Sequence, residues 1–120
     1  MRRGHDRERD VEALLCGWGW LAERKPASKG VADVTAIGGE FARWEGGHPS
    51  PLQWSLPIIL LVEVKSTAGG PYERFGPAER EELRVAAALH SCQCVLAWWP
   101  PSPGKAKDAA LRWIFEEQWP

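Results

Sequence analysis

Hydrophobic and polar positions recur along this chain with two periods, and the periods mark out its elements. Between Arg7 and Cys16, apolar Val11, Leu14 and Leu15 are spaced by charges, the pattern of an amphipathic helix. Asp6 is placed to cap its start, and Gly17 and Gly19 break it at the far end. Trp20 to Arg24 then reads as a strand, and Val31 to Ile37 (VADVTAI), rich in branched residues, as a second. Leu60 to Thr67 (LLVEVKST) is the clearest strand pattern. Pro77 opens a second helix over Ala78 to His90 (AEREELRVAAALH). Two closing strands follow at Cys94 to Trp99 (CVLAWW) and Leu111 to Glu116 (LRWIFE), joined by the turn-forming PPSPGKAKD.

One segment keeps neither period. Gly38 to Pro57 (GGEFARWEGGHPSPLQWSLP) is rich in Gly, Pro and Trp and predicts a long loop or distorted hairpin. The order of helix, three strands, helix and two strands predicts an α/β fold around a mixed sheet. With 120 residues, 44% of them hydrophobic and 26% charged, the chain predicts one domain over 1–120, with an insertion at about 38–57. At this length roughly 65% of the unfolded surface becomes buried, so a core forms without disulfides.

Composition excludes several classes. No apolar run reaches membrane-spanning length, and MRRGHDRERD has no secretory signal pattern, so we expect a cytoplasmic, intracellular protein without membrane contact. Cys16, Cys92 and Cys94 are odd in number, and the C-x-C pair is too close for ordinary bridging, so all three read as thiols. His5, His48 and His90 fall in no zinc spacing with them. The net charge of -1 argues against a wholly basic DNA-binding surface. Residues 1–30 nevertheless hold seven bases against five acids, which leaves a local basic zone including Arg2, Arg3 and Lys29.

The chemistry starts at Glu63 and Lys65. Residues two apart in a strand share a face, so these two side chains point together while Leu60, Val62 and Val64 line the other. The surrounding apolar run predicts a strand covered on both sides, where charge is costly without a partner or a metal. Asp33 poses the same problem within VADVTAI. An E-x-K pair also fits an ion pair on a half-exposed sheet face, and taken alone it leaves both readings open. The conjunction tilts the balance. Glu8 lies one helical turn from Val11 and two from Leu15, on the core-facing stripe. Glu8, Asp33 and Glu63 brought together would repel one another and favour a hard divalent cation, with Lys65 beside a reacting phosphate. That chemistry is a nuclease's, with Mg²⁺ activating water and polarising the phosphate. Mn²⁺ is a second ion such oxygen sites accept.

At these residues the sequence resembles the PD-(D/E)XK nuclease superfamily, and within it the archaeal-type Holliday junction resolvases, including versions carried by phages. The pieces that carry the resemblance are RRGHDRER at Arg2 to Arg9, Gly19 and Trp20, Arg24, Ser28 and Lys29, Asp33, and Glu63-Val64-Lys65, followed by VLAWW and LRWIFEE. It spans nearly the whole chain. The resemblance implies a restriction-endonuclease-like mixed sheet flanked by helices, with Glu8, Asp33 and Glu63 as metal ligands and the Val64 carbonyl as a further one. It makes Lys65 the catalytic lysine. It also places Arg9 and Arg24 around DNA phosphates and Ser28 in a loop near the site, and it implies a homodimer acting on four-way junctions in paired nicks, with no small-molecule cofactor. Symmetry favours the dimer, since a junction needs two matched cuts. Trp98, Trp99, Trp113 and the second helix are the candidate dimer patch, the alternative for the tryptophans being a Trp-rich core.

The chain departs from the family's pattern in two places. Ala32 precedes Asp33 where the family carries proline or a larger hydrophobic residue, at a position without chemistry. The 38–57 segment replaces a short hairpin, and Trp44 and Trp54 within it are read as caps on the local core, or else as groups that stack on exposed bases. Three functions follow: a junction resolvase, a nuclease of the same superfamily acting on flaps, mismatches or plain duplex, and a non-cleaving DNA-binding module.

Overall fold

The strand with the clearest pattern becomes the middle of the sheet. A computed structural model describes residues 4–24, 32–47, 50–53, 55–101 and 111–120. Helix α1 spans Gly4–Gly17, strands β1 and β2 span Leu21–Arg24 and Val34–Gly38, and β3 spans Ile58–Lys65. Helix α2 (Pro77–Leu89), β4 (Gln93–Trp98) and β5 (Arg112–Phe115) follow, with short 3₁₀ turns at Pro51–Gln53 and Glu116–Gln118. The five strands form one mixed sheet in the order β1-β2-β3-β4-β5. Only β3 and β4 run parallel, and α2 makes the crossover between them.

Strand alternation sorts the side chains onto two faces. Ile58, Leu60, Val62 and Val64 of β3 are all buried, against Val11 and Leu15 of α1 and beside Val34, Ala36, Val95, Ala97 and Phe115. Each such side chain, taken fully out of water, contributes about 1.5–3 kcal/mol. On the opposite face α2 lays Leu83 and Ala87 over Cys94 and Leu96, with Phe75 and Trp119 closing the end. Pro77 sits at the first helical position, as its missing N–H favours.

Several sequence expectations shift. Helix α1 begins before Asp6, so Asp6 lies in the first turn, where a carboxylate meets the positive end of the helix dipole, and it is not the N-cap. The strands begin or end one to three residues from their predicted limits, as element ends commonly do. The odd-numbered face of β3 is only half-buried, so that strand is not fully covered on both sides. Trp99 is buried, which takes it out of the patch proposed for a dimer, while Trp113 and Trp98 are partly buried against the two core clusters.

The 39–47 loop is held by aromatic packing. Trp44 meets the rings of Trp18, Trp20, Trp113 and Phe115 at centroid separations of 5.1 to 6.1 Å. A Cβ at Gly46 would sit 2.7 Å from both the Trp44 and Trp113 rings, so glycine is required for this close approach. Trp44 is thus a core cap, while Trp54 lies outside the described residues, as do Arg2, Arg3, Ser28 and Lys29.

Candidate active site

Asp33 precedes β2 and is wired directly onto β3. Its backbone N–H donates to the Val62 carbonyl at 3.0 Å, and its carboxylate Oδ2 accepts the Val64 N–H at 2.8 Å. A side chain therefore takes over where the ladder between β2 and β3 ends, and this fixes the carboxylate beside the E-x-K segment. Burial pushes the Asp33 carboxyl above its ordinary value, opposed by the Val64 hydrogen bond and by the charge of Lys65.

Glu63 and Lys65 lie on the same half-buried face of β3, as their spacing predicts. Lys65 Nζ is 3.3 Å from Glu63 Oε2, and the two side chains are only 20% and 15% exposed. Burial and the neighbouring charge of Asp33 push the Glu63 carboxyl up to about 7, with Lys65 pulling the other way. Two carboxyls raised by burial, Glu63 also by the charge of Asp33, are poorly balanced by one ammonium. A cation placed between them would relieve that strain.

The site includes residues that sequence reasoning missed. The charge of Glu79, in the first turn of α2, also raises Glu63, while its Oε1 accepts the Gly76 N–H at 3.0 Å. The spacing of Gly76 and Glu79 at a proline-marked helix start was the available signal. Trp98 is paired with Lys65 in the parallel register and therefore lies beside it on the same face. Its indole N–H donates to the carbonyl and hydroxyl of Thr67 at 3.1 and 3.2 Å. Nothing in CVLAWW distinguished Trp98 from a core residue.

Glu8 stands apart. It is half-buried on α1, and its Oε1 lies 3.9 Å from Arg24 Nη1 at the end of β1. Arg24 is registered with Val34, so this pair sits at the same end of the sheet as Asp33. Among the described residues, however, no three of Asp, Glu, His and Cys are grouped closely enough to hold a metal ion. Asp33, Glu63 and Lys65 are brought together, and Glu8 is not gathered with them. Arg9 is exposed on α1. The three cysteines are free thiols, and burial pushes Cys94 up to about 12, which leaves it unreactive.

No family model and no curated protein matches the chain. Among solved structures, that of Hjc, a Holliday junction resolvase from the archaeal hyperthermophile Archaeoglobus fulgidus, aligns with a TM-score of 0.61. The alignment covers 97% of this chain and 75% of the other, at 20% sequence identity. The mixed five-stranded sheet with its two helices is thus an α/β fold like that of Hjc. Among the described residues no helix is long and apolar enough to cross a membrane.

Proposed function

We propose that the chain is a divalent-metal-dependent endonuclease that resolves four-way DNA junctions by paired nicks. The observation that carries this reading is the meeting of Asp33, Glu63 and Lys65 at one end of a resolvase-like sheet. Asp33 and Glu63 suit a hard cation, because Mg²⁺ is commonly held by one or two carboxylates with the substrate phosphate and water completing its shell. Bound there, Mg²⁺ or Mn²⁺ would polarise the phosphate as a Lewis acid and make a bound water more acidic. Glu8 and the Val64 carbonyl are the further donors proposed for the ion, Glu8 after a rotation away from Arg24.

The chain's own groups do the rest. Lys65 neutralises charge that grows on the phosphate oxygens and orients the attacking water. The Val64 N–H keeps the Asp33 carboxylate aimed at the site, so that no rotamer entropy is lost on binding. Arg2, Arg3, Arg9, Arg24 and Lys29 are the proposed phosphate contacts, and Ser28 is a further proposed site residue. A second copy supplies the second cut, and Val85 and Leu89, which stand one turn apart and exposed on α2, offer an apolar patch for it.

The test is a nicking assay with Mg²⁺ on a four-way junction, a flap, a mismatch and a linear duplex. Paired cuts confined to the junction are expected. Equal cutting of all four substrates would leave a less selective nuclease, and binding without cutting a DNA-binding module.

A further inference from the structure

The register of the last three strands sets a row of side chains beside the candidate site. Lys65 of β3 is paired with Trp98 of β4, and Trp98 with Arg112 of β5. Paired residues in neighbouring strands point to the same face, so an ammonium, an indole and a guanidinium stand side by side. Neighbouring strands are about 5 Å apart, which puts Lys65 and Arg112 about 10 Å apart with Trp98 between them. The row inward from it, Glu63, Leu96 and Ile114, holds the catalytic glutamate and then apolar core.

Two details separate this row from ordinary packing. Trp98 is only part-buried, and its ring is fixed from behind: the indole N–H is held by Thr67, which is itself 8% exposed and bonded to the Gly70 carbonyl. Arg112 is exposed at the start of β5 and makes no ion pair among the described residues. Glu116, four positions further on, is engaged by Arg84 at 3.6 Å. A cation, a rigid aromatic ring and a second cation in line have the chemistry of a nucleic-acid strand, whose phosphates alternate with sugars and stacking bases.

We propose that Lys65, Trp98 and Arg112 form a tract for the cleaved strand. Lys65 takes the scissile phosphate, the Trp98 ring packs on the adjoining sugar and base, and Arg112 takes the next phosphate. This rests on the nuclease reading and adds to it the path of the strand across the sheet.

The experiment uses the full chain, with junction binding measured without divalent ion and single-turnover cutting measured with Mg²⁺. Arg112→Ala is expected to raise the Kd about tenfold near 0.1 M salt and to lower the salt slope by about one, with Arg112→Lys restoring most of both. Trp98→Leu, which keeps apolar volume but no ring, is expected to weaken binding by about tenfold, and Trp98→Phe to recover it. An abasic sugar beside the mapped cut should weaken wild type by a similar factor and Trp98→Leu hardly at all. Wild-type Kd and slope in Arg112→Ala, or an abasic effect equal in wild type and Trp98→Leu, would overturn the tract while leaving the nuclease intact. A wild-type chain that neither binds nor cuts any DNA would instead overturn the nuclease reading and the tract with it.

Discussion

The two faces of the sheet are built from the same strands and do opposite work. Toward α1, every described β3 side chain is buried, and its neighbours are apolar. Toward α2, the alternate residues Ile59, Leu61, Glu63 and Lys65 are half-buried. The difference comes from cover. Helix α1 packs on β1, β2 and β3, whereas α2 packs on β4 and, among the described residues, leaves the β1–β2 end of its face open. Charge can be kept only where cover is incomplete, because a fully buried carboxylate without a partner loses several kcal/mol of hydration. One face therefore carries the stability, and the other can carry Asp33, Glu63 and Lys65.

That division is broken most directly at the charged face. Asp33→Asn and Glu63→Gln should lower cutting by about 10²- to 10³-fold, with junction affinity unchanged or tighter as local negative charge falls. Lys65→Ala should lose a similar factor with little change in melting temperature. Single-turnover rates and thermal melts on the same samples read both. Full activity with a depressed melting temperature would make the Glu63 and Lys65 pair structural.

On the apolar face the expected effect is on folding. Leu60 is fully buried between α1 and the neighbouring strands, so Leu60→Ala removes packed methyl groups and leaves a void. A loss of about 2–5 kcal/mol is expected by urea denaturation, with per-molecule cutting of the folded fraction unchanged. A cutting defect larger than the unfolded fraction explains would show that the two faces are coupled.

The pH dependence of stability tests the charged face without DNA. Glu63 is pushed from 4.5 up to about 7, and Asp33 is raised too. Between those pH values the folded chain keeps a proton that the unfolded chain has released, so the folded state binds more protons. The stabilisation is complete below about pH 4.5 and is lost as pH rises through about 7. Wild type should lose on the order of 2 kcal/mol relative to Glu63→Gln between about pH 5 and about pH 8 in EDTA. Adding Mg²⁺ at the upper pH should recover stability by mass action in wild type and not in the variant. Parallel curves for the two proteins would remove the shifted carboxyl.

How much of this was legible depended on whether a signal was local. The alternation in LLVEVKST put Glu63 and Lys65 on one face, and it does so in the structure. Likewise Pro77 marked the start of α2. What sequence could not show was contact between distant segments. The carboxylate of Asp33 reaches the Val64 N–H across 31 positions, and the row from Lys65 to Arg112 exists only through strand register. The 38–57 segment has no period because Trp44 is held by four aromatic rings drawn from elsewhere in the chain. Glu8 shows a different limit: its helical phase turned it inward, but phase alone does not say which groups it meets there, and Arg24 is one of them.

The smallest expected effect gives the sharpest contrast, because one substitution can be made on both faces of a single strand. Val34 and Ile37 both belong to β2 and are both branched, yet Val34 is fully buried toward α1 and Ile37 is 41% exposed on the other side. Threonine keeps the branching that suits a strand at either place. At Val34 its hydroxyl replaces a methyl among apolar neighbours, and a loss of about 1–3 kcal/mol is expected. At Ile37, which is registered with exposed Leu21 on one side and half-buried Ile59 on the other, much of the surface is already wet. The change there should stay within about 0.5 kcal/mol. Urea midpoints for Val34→Thr and Ile37→Thr, compared at two protein concentrations, test both. If Ile37→Thr costs as much as Val34→Thr, the open end of the α2 face is covered in solution. A loss that grows with protein concentration would then identify the cover as a second copy of the chain.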